Sequence, residues 1–220
     1  MDEIIKKEKI TELYETRFIK LFDIENEVTN HYYEASRRDL DNLVAIKEDA
    51  EFKKMKADAI GCCIIVEEKG FKPRLLLTNE FRFPIGRYIL SPTSGLIDKK
   101  DLESEFPEIT AAKREIFEET GLTVKDTDDI RMVNPLLFAS PATVDESCAL
   151  IVARIKVDDL SELTTKNKEE TELFNGFMLY TKEDVIDMLK NGRDKDGKYY
   201  SIFTWVVMME FLMEENKWID

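Results

Sequence analysis

The chain is poor in the residues that build several common kinds of site. Among its 220 residues it has one histidine, His31, and three cysteines, Cys62, Cys63 and Cys148. A single histidine excludes zinc sites that need two histidine ligands, and a Ser-His-Asp triad would have to use His31. Three cysteines cannot all pair with one another, and Cys62 and Cys63 are adjacent in an apolar run. We therefore expect buried thiols and a reducing, cytoplasmic setting.

Basic residues are outnumbered, and long apolar runs are missing. The sequence has 32 lysines and arginines against 46 acidic residues, a net charge of −14. Nucleic-acid binding needs basic side chains that displace counterions from phosphates, so we expect neither a nucleic-acid partner nor attachment to anionic membranes. The first residues lack the apolar stretch of a signal peptide, and the most apolar segment, 202–213, is too short to cross a bilayer.

The length indicates one sizeable core with a small appended unit, because single domains commonly have roughly 100–150 residues. Residues 1–57 are charged and predict a small N-terminal unit, with a helix as one option for its start and a β-hairpin of strands 16–22 and 28–35. Residues 58–220 then form the main domain. An apolar fraction of 43% and an aromatic fraction of 10% are those of a folded protein.

In the main domain, short strands are interleaved with a few helices. Pro107 and Gly121 are typical of the first turn and the C-terminal cap of a helix over 107–120, and the segment before it, 92–105, predicts a loop. Thr181 predicts the cap of a helix that ends at Gly192, and a last helix follows over 200–213. The predicted strands are 59–67, 74–83, 87–91, 131–137, 148–157 and 172–180. Because strands and helices do not alternate regularly, we expect an α/β fold with a mixed sheet covered by helices.

The most informative segment lies at the end of the helix predicted over 107–120. It reads Arg114-Glu115-Ile116-Phe117-Glu118-Glu119-Thr120-Gly121-Leu122. On a helix, Glu115 and Glu119 share one face with Glu118 beside them, and the apolar side chains at 109, 112 and 116 lie opposite. Such carboxylates repel one another unless a cation lies between them, and oxygen ligands suit Mg²⁺ or Mn²⁺. Arg114 is placed to pair with Glu118, four residues on.

A solvent-exposed acidic helix face is the ordinary explanation for two glutamates four residues apart. The complete pattern is much rarer. Arginine, three glutamates, a glycine and two apolar residues at these spacings arise by chance about once in a million start positions at average residue usage. We therefore interpret the segment as a metal-binding helix.

The segment resembles the second half of the Nudix box, Gly-x5-Glu-x7-Arg-Glu-U-x-Glu-Glu-x-Gly-U, in which U is bulky and apolar. The match is complete from Arg114 to Leu122. The candidate opening glycine, Gly95, lies 19 residues before Arg114, five more than in the motif. The first glutamate of the motif would then correspond to Asp101 or to Phe106, so this glutamate is replaced or absent.

Other segments resemble the ADP-ribose pyrophosphatases within this superfamily. The similar stretches are 14–18, 32–34, 80–88, 95–98 and 138–146, although Ser91, Thr93, Ser94 and Ser147 replace residues common in that family. The resemblance implies a Nudix-type α/β/α sandwich with a mixed sheet, preceded by a small antiparallel β unit that pairs two chains into a homodimer. It also implies metal-dependent hydrolysis of ADP-ribose to AMP and ribose 5-phosphate.

The resemblance further implies roles for single residues. Glu115 and Glu119 would be the main metal ligands, with Glu118 as a further ligand or catalytic support and the Ser94 carbonyl completing the set. Glu146 matches a loop glutamate that would be either the general base or a partner of the metal-bound water. Arg114 would orient the box carboxylates. Arg82 would bind a phosphate or ribose, and Tyr32 or Tyr33 would stack on the adenine.

An ordinary structural role remains an alternative explanation for most of these positions. Glu146 could be an ordinary loop acid, Arg82 a surface arginine, and each tyrosine a packing residue. Two other functions are also open. One is hydrolysis of a nucleotide sugar by the same fold, and the other is a non-catalytic Nudix-fold nucleotide sensor, favoured by the altered first half of the box.

Overall fold

The computed structural model describes residues 5–168 and 173–216, and within them the chain forms two compact units. The first unit contains the described residues up to Asp58 together with Pro135–Cys148. The second contains Ala59–Asn134 and the described residues from Ala149 onwards. The predicted domains, 1–57 and 58–220, stay a prediction, and no feature of the sequence indicated that residues 135–148 fold with the N-terminal part.

The first unit is built on a three-stranded antiparallel sheet in the order β1-β2-β3. Its strands are β1 (Ile10–Glu15), β2 (Lys20–Asn26) and β3 (Asn30–Ser36). The predicted hairpin is therefore shifted, because the segment expected to be its turn continues β2. The turn forms instead at residues 27–29, where the Asn26 side chain accepts the amide protons of Val28 and Thr29.

The described part of the first unit begins with a single 3-10 turn followed by a strand, and not with the α-helix that was one option. Lys7–Lys9 form one 3-10 turn, after which the chain enters β1. Only Ile10 of β1 is buried, so the strand has none of the apolar alternation that predicts a β-strand from sequence. Ile10, Phe22, Ile24 and Leu43 form the core of the unit, and a short helix, α1 (Asp49–Phe52), follows.

The second unit contains a mixed sheet with helices. In the sheet, the central order is β10-β5-β4-β9-β8, β6 pairs with β5, and β7 pairs with β4. The strands are β4 (Ala59–Glu68), β5 (Arg74–Arg82), β6 (Arg87–Ser91), β7 (Ser94–Leu96), β8 (Asp129–Phe138), β9 (Ser147–Val157) and β10 (Phe174–Tyr180). Residues 135–138 of β8 and 147–148 of β9 are counted with the first unit. Residues 60–66 of β4 are fully buried, as the apolar run predicted. The first residue of the strand predicted over 172–180 lies outside the described residues.

Three helices cover this sheet: α2 (Pro107–Thr120), α3 (Lys182–Asn191) and α4 (Ile202–Asn216). Helix α2 has the predicted bounds and ends at Gly121, which takes φ +78°. Helix α4 packs on β4, where the ring of Phe203 occupies the space beside Gly61. The mixed α/β architecture is the one predicted. No helix in the described part of the chain is long and apolar enough to cross a bilayer.

Strand β7 was also not predicted from the sequence, since it lies inside the segment predicted to be a loop. It has three residues and pairs with the start of β4, with Ser94 opposite Gly61 and Gly95 opposite Ile60. Helix α2 packs on β4 and β7. This pairing brings residues 94–96 beside residues 114–119 of α2, which we call the acidic turn.

Candidate active site

Arg114 on helix α2 holds two of the predicted carboxylates. Its Nη1 donates to Glu115 Oε1 at 2.6 Å and to Glu118 Oε2 at 3.0 Å. The second contact is the predicted pairing across one helical turn. The Arg114 side chain is mostly buried, so these ion pairs are partly shielded from solvent. Arg114 therefore fixes how Glu115 and Glu118 are oriented.

Asp101 is the second partner of Arg114. Arg114 Nη2 donates to Asp101 Oδ2 at 2.9 Å, and the side chain of Asp101 is only 2% exposed. Burial alone would raise the pKa of Asp101, but the hydrogen bonds from Arg114 and from the Asp98 amide outweigh it and lower the pKa. Phe106, the other candidate for the missing box glutamate, is 62% exposed. Of the two positions, Asp101 is the one that contacts the box arginine.

Gly95 and Ser94 lie directly against the acidic turn. A Cβ atom on Gly95 would stand 1.9 Å from Glu115 Oε1, so the Glu115 carboxylate fills the space that any side chain there would need. The Ser94 backbone N–H donates to Glu119 Oε1 at 3.2 Å. Glu115 and Glu119 are both largely buried. The structure thus brings together Ser94, Glu115, Glu118 and Glu119 with Arg114.

The donor chemistry of this cluster fits an oxygen-preferring divalent cation. Its candidate donors are three carboxylates and one backbone carbonyl, with no sulfur or imidazole. The space at Gly95 that a side chain would fill is taken by a candidate ligand, Glu115. Among the described residues, however, no three acidic, cysteine or histidine side chains converge as a ready metal site. Arg114 neutralises Glu115 and Glu118 in this arrangement.

Arg82 lies in the second unit at the end of β5, and it is held by an acid. Its Nη2 lies 2.6 Å from Glu80 Oε2 and 3.5 Å from Ser91 Oγ. Burial raises the pKa of Glu80, although Arg82 and Ser91 oppose that shift. The Arg82 side chain is partly exposed. Arg82, the residue predicted to bind a phosphate, is thus accessible but already forms an ion pair with Glu80.

The other three predicted site residues lie in the first unit. Glu146 accepts a hydrogen bond from Arg37 Nε at 2.7 Å. The Tyr32 hydroxyl donates to the Ala142 carbonyl at 2.6 Å, and Tyr33, which is 57% exposed, is the more accessible ring. Tyr32 therefore has a structural partner, and Tyr33 is the better candidate for stacking.

Comparisons with known proteins find relatives that are named as Nudix hydrolases. No family model matches the chain. It is 32% identical to "Putative nudix hydrolase 2" of Caenorhabditis elegans over 107 residues, 48% of this chain and 44% of that protein. It is 30% identical to an uncharacterized Nudix hydrolase of Schizosaccharomyces pombe over 115 residues, 51% of this chain and 49% of that protein. The chain thus spans about half the length of the curated relatives it matches.

The fold comparison extends over nearly the whole chain. A crystal structure of an ADP compounds hydrolase superposes with a TM-score of 0.52 at 15% identity, covering 94% of this chain and 92% of the other. The chain has a Nudix fold. Helix α2 carries the segment 114–122 that resembles the second half of the Nudix box, and we refer to it below as the Nudix helix.

The sequence did not reveal a set of polar contacts near Glu146, in the first unit of this Nudix-fold chain. Ser36 Oγ donates to Asp145 Oδ1 at 2.7 Å, and Arg38 Nη2 contacts both carboxylate oxygens of Asp58 at 2.6 and 2.7 Å. Burial, together with the nearby charge of Asp145, raises the pKa of Glu34 to about 7. The polar run Ser36-Arg37-Arg38 was the available signal, but nothing local in it indicates a partner more than 100 residues away.

Proposed function

We propose that this Nudix-fold protein hydrolyses a nucleoside diphosphate linked to another group, with the help of a divalent metal ion. The proposal rests on one observation, which is that the turn Arg114–Glu119 of helix α2 lies directly against Ser94 and Gly95. A merely solvated acidic face would be exposed. Here Glu115 and Glu119 are buried and held in place by Arg114 and by the Ser94 amide.

The chain's own residues divide the work as follows. Glu115 and Glu119 would be the main ligands of Mg²⁺ or Mn²⁺, with Glu118 and the Ser94 carbonyl completing the donor set. When bound, the cation would neutralise diphosphate charge and lower the pKa of the attacking water. Arg114 keeps the carboxylates oriented. Glu146 is our candidate for the general base, because it matches the loop glutamate of the ADP-ribose pyrophosphatases and a carboxylate can act as a general base.

The proposed substrate is ADP-ribose, with AMP and ribose 5-phosphate as products. The resemblance of residues 80–98 and 138–146 to the ADP-ribose pyrophosphatases supports it, and so does a structural neighbour whose title names ADP compounds. Arg82 would bind a phosphate group, since a guanidinium binds oxyanions with two parallel hydrogen bonds. The phosphate would replace Glu80 as the partner of Arg82. Tyr33 would stack on the base.

We also propose that two chains associate through the first unit. Strand β1 and the turn between β1 and β2 present large apolar side chains to solvent, among them Leu13 at 48%, Tyr14 at 67%, Phe18 at 66% and Ile19 at 45% exposed. Such a patch on a small sheet favours burial against another surface. A second copy of this chain is the expected partner, and sedimentation at several concentrations would show a dimer.

The proposed setting is reducing and cytoplasmic. Cys62, Cys63 and Cys148 are all buried. Burial raises the pKa of Cys63 well above its ordinary value and that of Cys148 to about 12. These thiols are therefore poor nucleophiles and serve as small apolar side chains.

A substrate panel tests the proposed function. Purified protein would be given ADP-ribose, UDP-glucose, ADP-glucose and NADH, each with Mg²⁺ and with EDTA, and nucleotide release would be followed by chromatography. We expect Mg²⁺-dependent release that is fastest with ADP-ribose. Faster turnover of a nucleotide sugar would replace the substrate and keep the chemistry. Tight nucleotide binding without turnover would favour the non-catalytic sensor. The neutralisation of Glu115 and Glu118 by Arg114 would then fit a protein that does not carry out metal-dependent hydrolysis.

A further inference from the structure

We propose that strand β3 positions the loop that carries Glu146, with Ser36 and Arg37 as the positioning residues. We call residues 139–146 the Glu146 loop. The consequence for catalysis rests on the role proposed above for Glu146. The positioning itself rests on contacts within the first unit and can be tested without any activity.

Residues of β3, and Arg37 directly after it, contact residues of the Glu146 loop in the same order along the chain. Beginning at the N-terminal end of both segments, the Tyr32 hydroxyl donates to the Ala142 carbonyl at 2.6 Å. The Ala35 amide then donates to the Thr143 carbonyl at 2.9 Å, in a parallel bridge between Ala35 and Val144. The contacts therefore keep the same order along both segments, and the loop lies along β3 like a short additional strand.

The last two contacts fix the acidic end of the loop. Ser36 Oγ donates to Asp145 Oδ1 at 2.7 Å in a buried site, and the Asp145 side chain is 7% exposed. Arg37 Nε donates to Glu146 Oε2 at 2.7 Å, and both of these side chains are partly open to solvent. Ser36 thus holds Asp145 Oδ1, while the Val44 amide and Arg38 Nε contact Asp145 Oδ2 at 3.2 and 3.4 Å. Arg37 orients the Glu146 carboxylate itself.

The loop also borders a partly open pocket on the side that faces the N-terminal segment. A cavity of about 320 Å³ in the first unit is lined by loop residues, including Pro141, Thr143 and Val144, and by Ile24, Val44 and Phe52 from the N-terminal segment. Atoms that face a cavity lose the dispersion contacts they would make in a packed core. The polar contacts to β3 therefore carry a larger share of what keeps the loop in place.

The loop is also closed on itself. The Ala139 amide donates to the Glu146 carbonyl, and the amides of Thr143 and Val144 both donate to the Ser140 carbonyl, each at 2.9 Å. A segment with its own hydrogen bonds can shift as one piece. Loss of the contacts at Ser36 and Arg37 would therefore displace Glu146 with the whole loop and leave the rest of the first unit folded.

Hydrogen exchange of the backbone amides is the direct test. Ser36→Ala should speed exchange of the Ala35 amide and of the loop amides by about tenfold, because it removes a buried hydrogen bond to a carboxylate. Arg37→Ala should speed loop exchange by about twofold to fivefold, the range expected for an exposed ion pair. Arg17→Ala is the matched control, since Arg17 is an arginine of the same unit that lies over the Phe18 ring. Unchanged loop exchange in both test variants would overturn the proposal.

Turnover supplies the second readout. On whichever substrate the wild type hydrolyses, Arg37→Ala should lower kcat by about twofold to fivefold with KM unchanged, since the variant misplaces a reacting group and leaves substrate binding intact. Arg37→Lys, which keeps the charge but not the guanidinium geometry, should recover part of the loss. An equal fall in all three variants, Arg17→Ala included, would contradict a positioning role.

The two proposals fail in distinguishable ways. If Glu146→Gln turns over as fast as the wild type, the role of Glu146 as base is wrong, while faster loop exchange in Ser36→Ala would still support the positioning by β3. Ser36 is buried, and its replacement could disturb folding. Arg37 is half-exposed, so Arg37→Ala, checked by circular dichroism, decides the matter if Ser36→Ala does not fold.

Discussion

The Glu115 carboxylate occupies the place where a side chain on Gly95 would be, with only 1.9 Å between Oε1 and an ideal Cβ. The glycine is thus required by the close approach of a neighbouring carboxylate. Strand β7 supplies this approach, because its pairing with β4 presses Gly95 onto helix α2. A backbone feature and a candidate metal ligand are therefore coupled at this point.

Gly95→Ala should displace Glu115 and weaken metal binding. The added methyl group cannot fit unless the carboxylate moves, and overpacking of this kind costs about 1–3 kcal/mol of folding stability. We expect isothermal titration with Mn²⁺ to show at least a tenfold loss of affinity. Ser94→Ala is the control, because Ser94 meets Glu119 through its backbone N–H. Equal Mn²⁺ affinities of the wild type and Gly95→Ala would mean that Glu115 is not a metal ligand.

Glu119→Gln should leave the fold intact and slightly stabilise the protein without metal. The substitution removes one negative charge from a turn that also carries Glu115 and Glu118, and the amide oxygen can still accept the Ser94 N–H. Thermal unfolding in EDTA should give a melting temperature equal to or a little above that of the wild type. A melting temperature many degrees lower would mean that Glu119 is a structural residue.

Asp101→Ala should destabilise the protein more than an ordinary surface change. Asp101 is buried, and its loss would take a charged partner from Arg114, at a cost of about 2–4 kcal/mol. Since the folded-state pKa of Asp101 is lowered, its contribution is present above the ordinary pKa of 3.8 and is lost as the pH falls through the folded-state value. Urea unfolding at pH 7 and pH 3 should show a difference between wild type and Asp101→Ala that shrinks at the lower pH.

Glu34→Gln should change how stability depends on pH. The pKa of Glu34 is raised from 4.5 to about 7, so the folded state keeps a proton that the unfolded chain releases. The stabilisation is complete below pH 4.5 and is lost as the pH rises through about 7, a change of about 3 kcal/mol at most. Urea unfolding of wild type and Glu34→Gln at pH 5 and pH 8 would measure it. Glu12→Gln, an exposed change on β1, is the control, and parallel profiles for wild type and Glu34→Gln would contradict the account.

The parts of the fold that the sequence predicted are those with strong local signals. Helix α2 begins at Pro107 and ends before Gly121, as predicted, and the fully apolar run after Gly61 is the buried strand β4. Strand β1 was missed because five of its six side chains are exposed, and β7 because it has only three residues. Neither pattern carries information about its partner strand.

The same distinction applies to the candidate site. The Nudix box supplied Arg114 and its three glutamates, because all of them lie within two helical turns. The contacts of Asp101 with Arg114 and of Arg37 with Glu146 depend on how distant segments pack. Residues 36 and 145 are 109 positions apart, and no local periodicity reports such a contact.

The most direct test of the central claim is the rate of AMP release from ADP-ribose with Mg²⁺, measured side by side for the wild type, Glu119→Gln and Glu108→Gln. Glu108 lies in the first turn of the same helix, away from the acidic turn, and serves as the matched control. We predict Mg²⁺-dependent release by the wild type and Glu108→Gln, and a loss of at least about 100-fold in Glu119→Gln, because Glu119 is a proposed metal ligand. Wild-type turnover in Glu119→Gln would contradict the assignment of the Nudix helix as the metal-binding catalytic element.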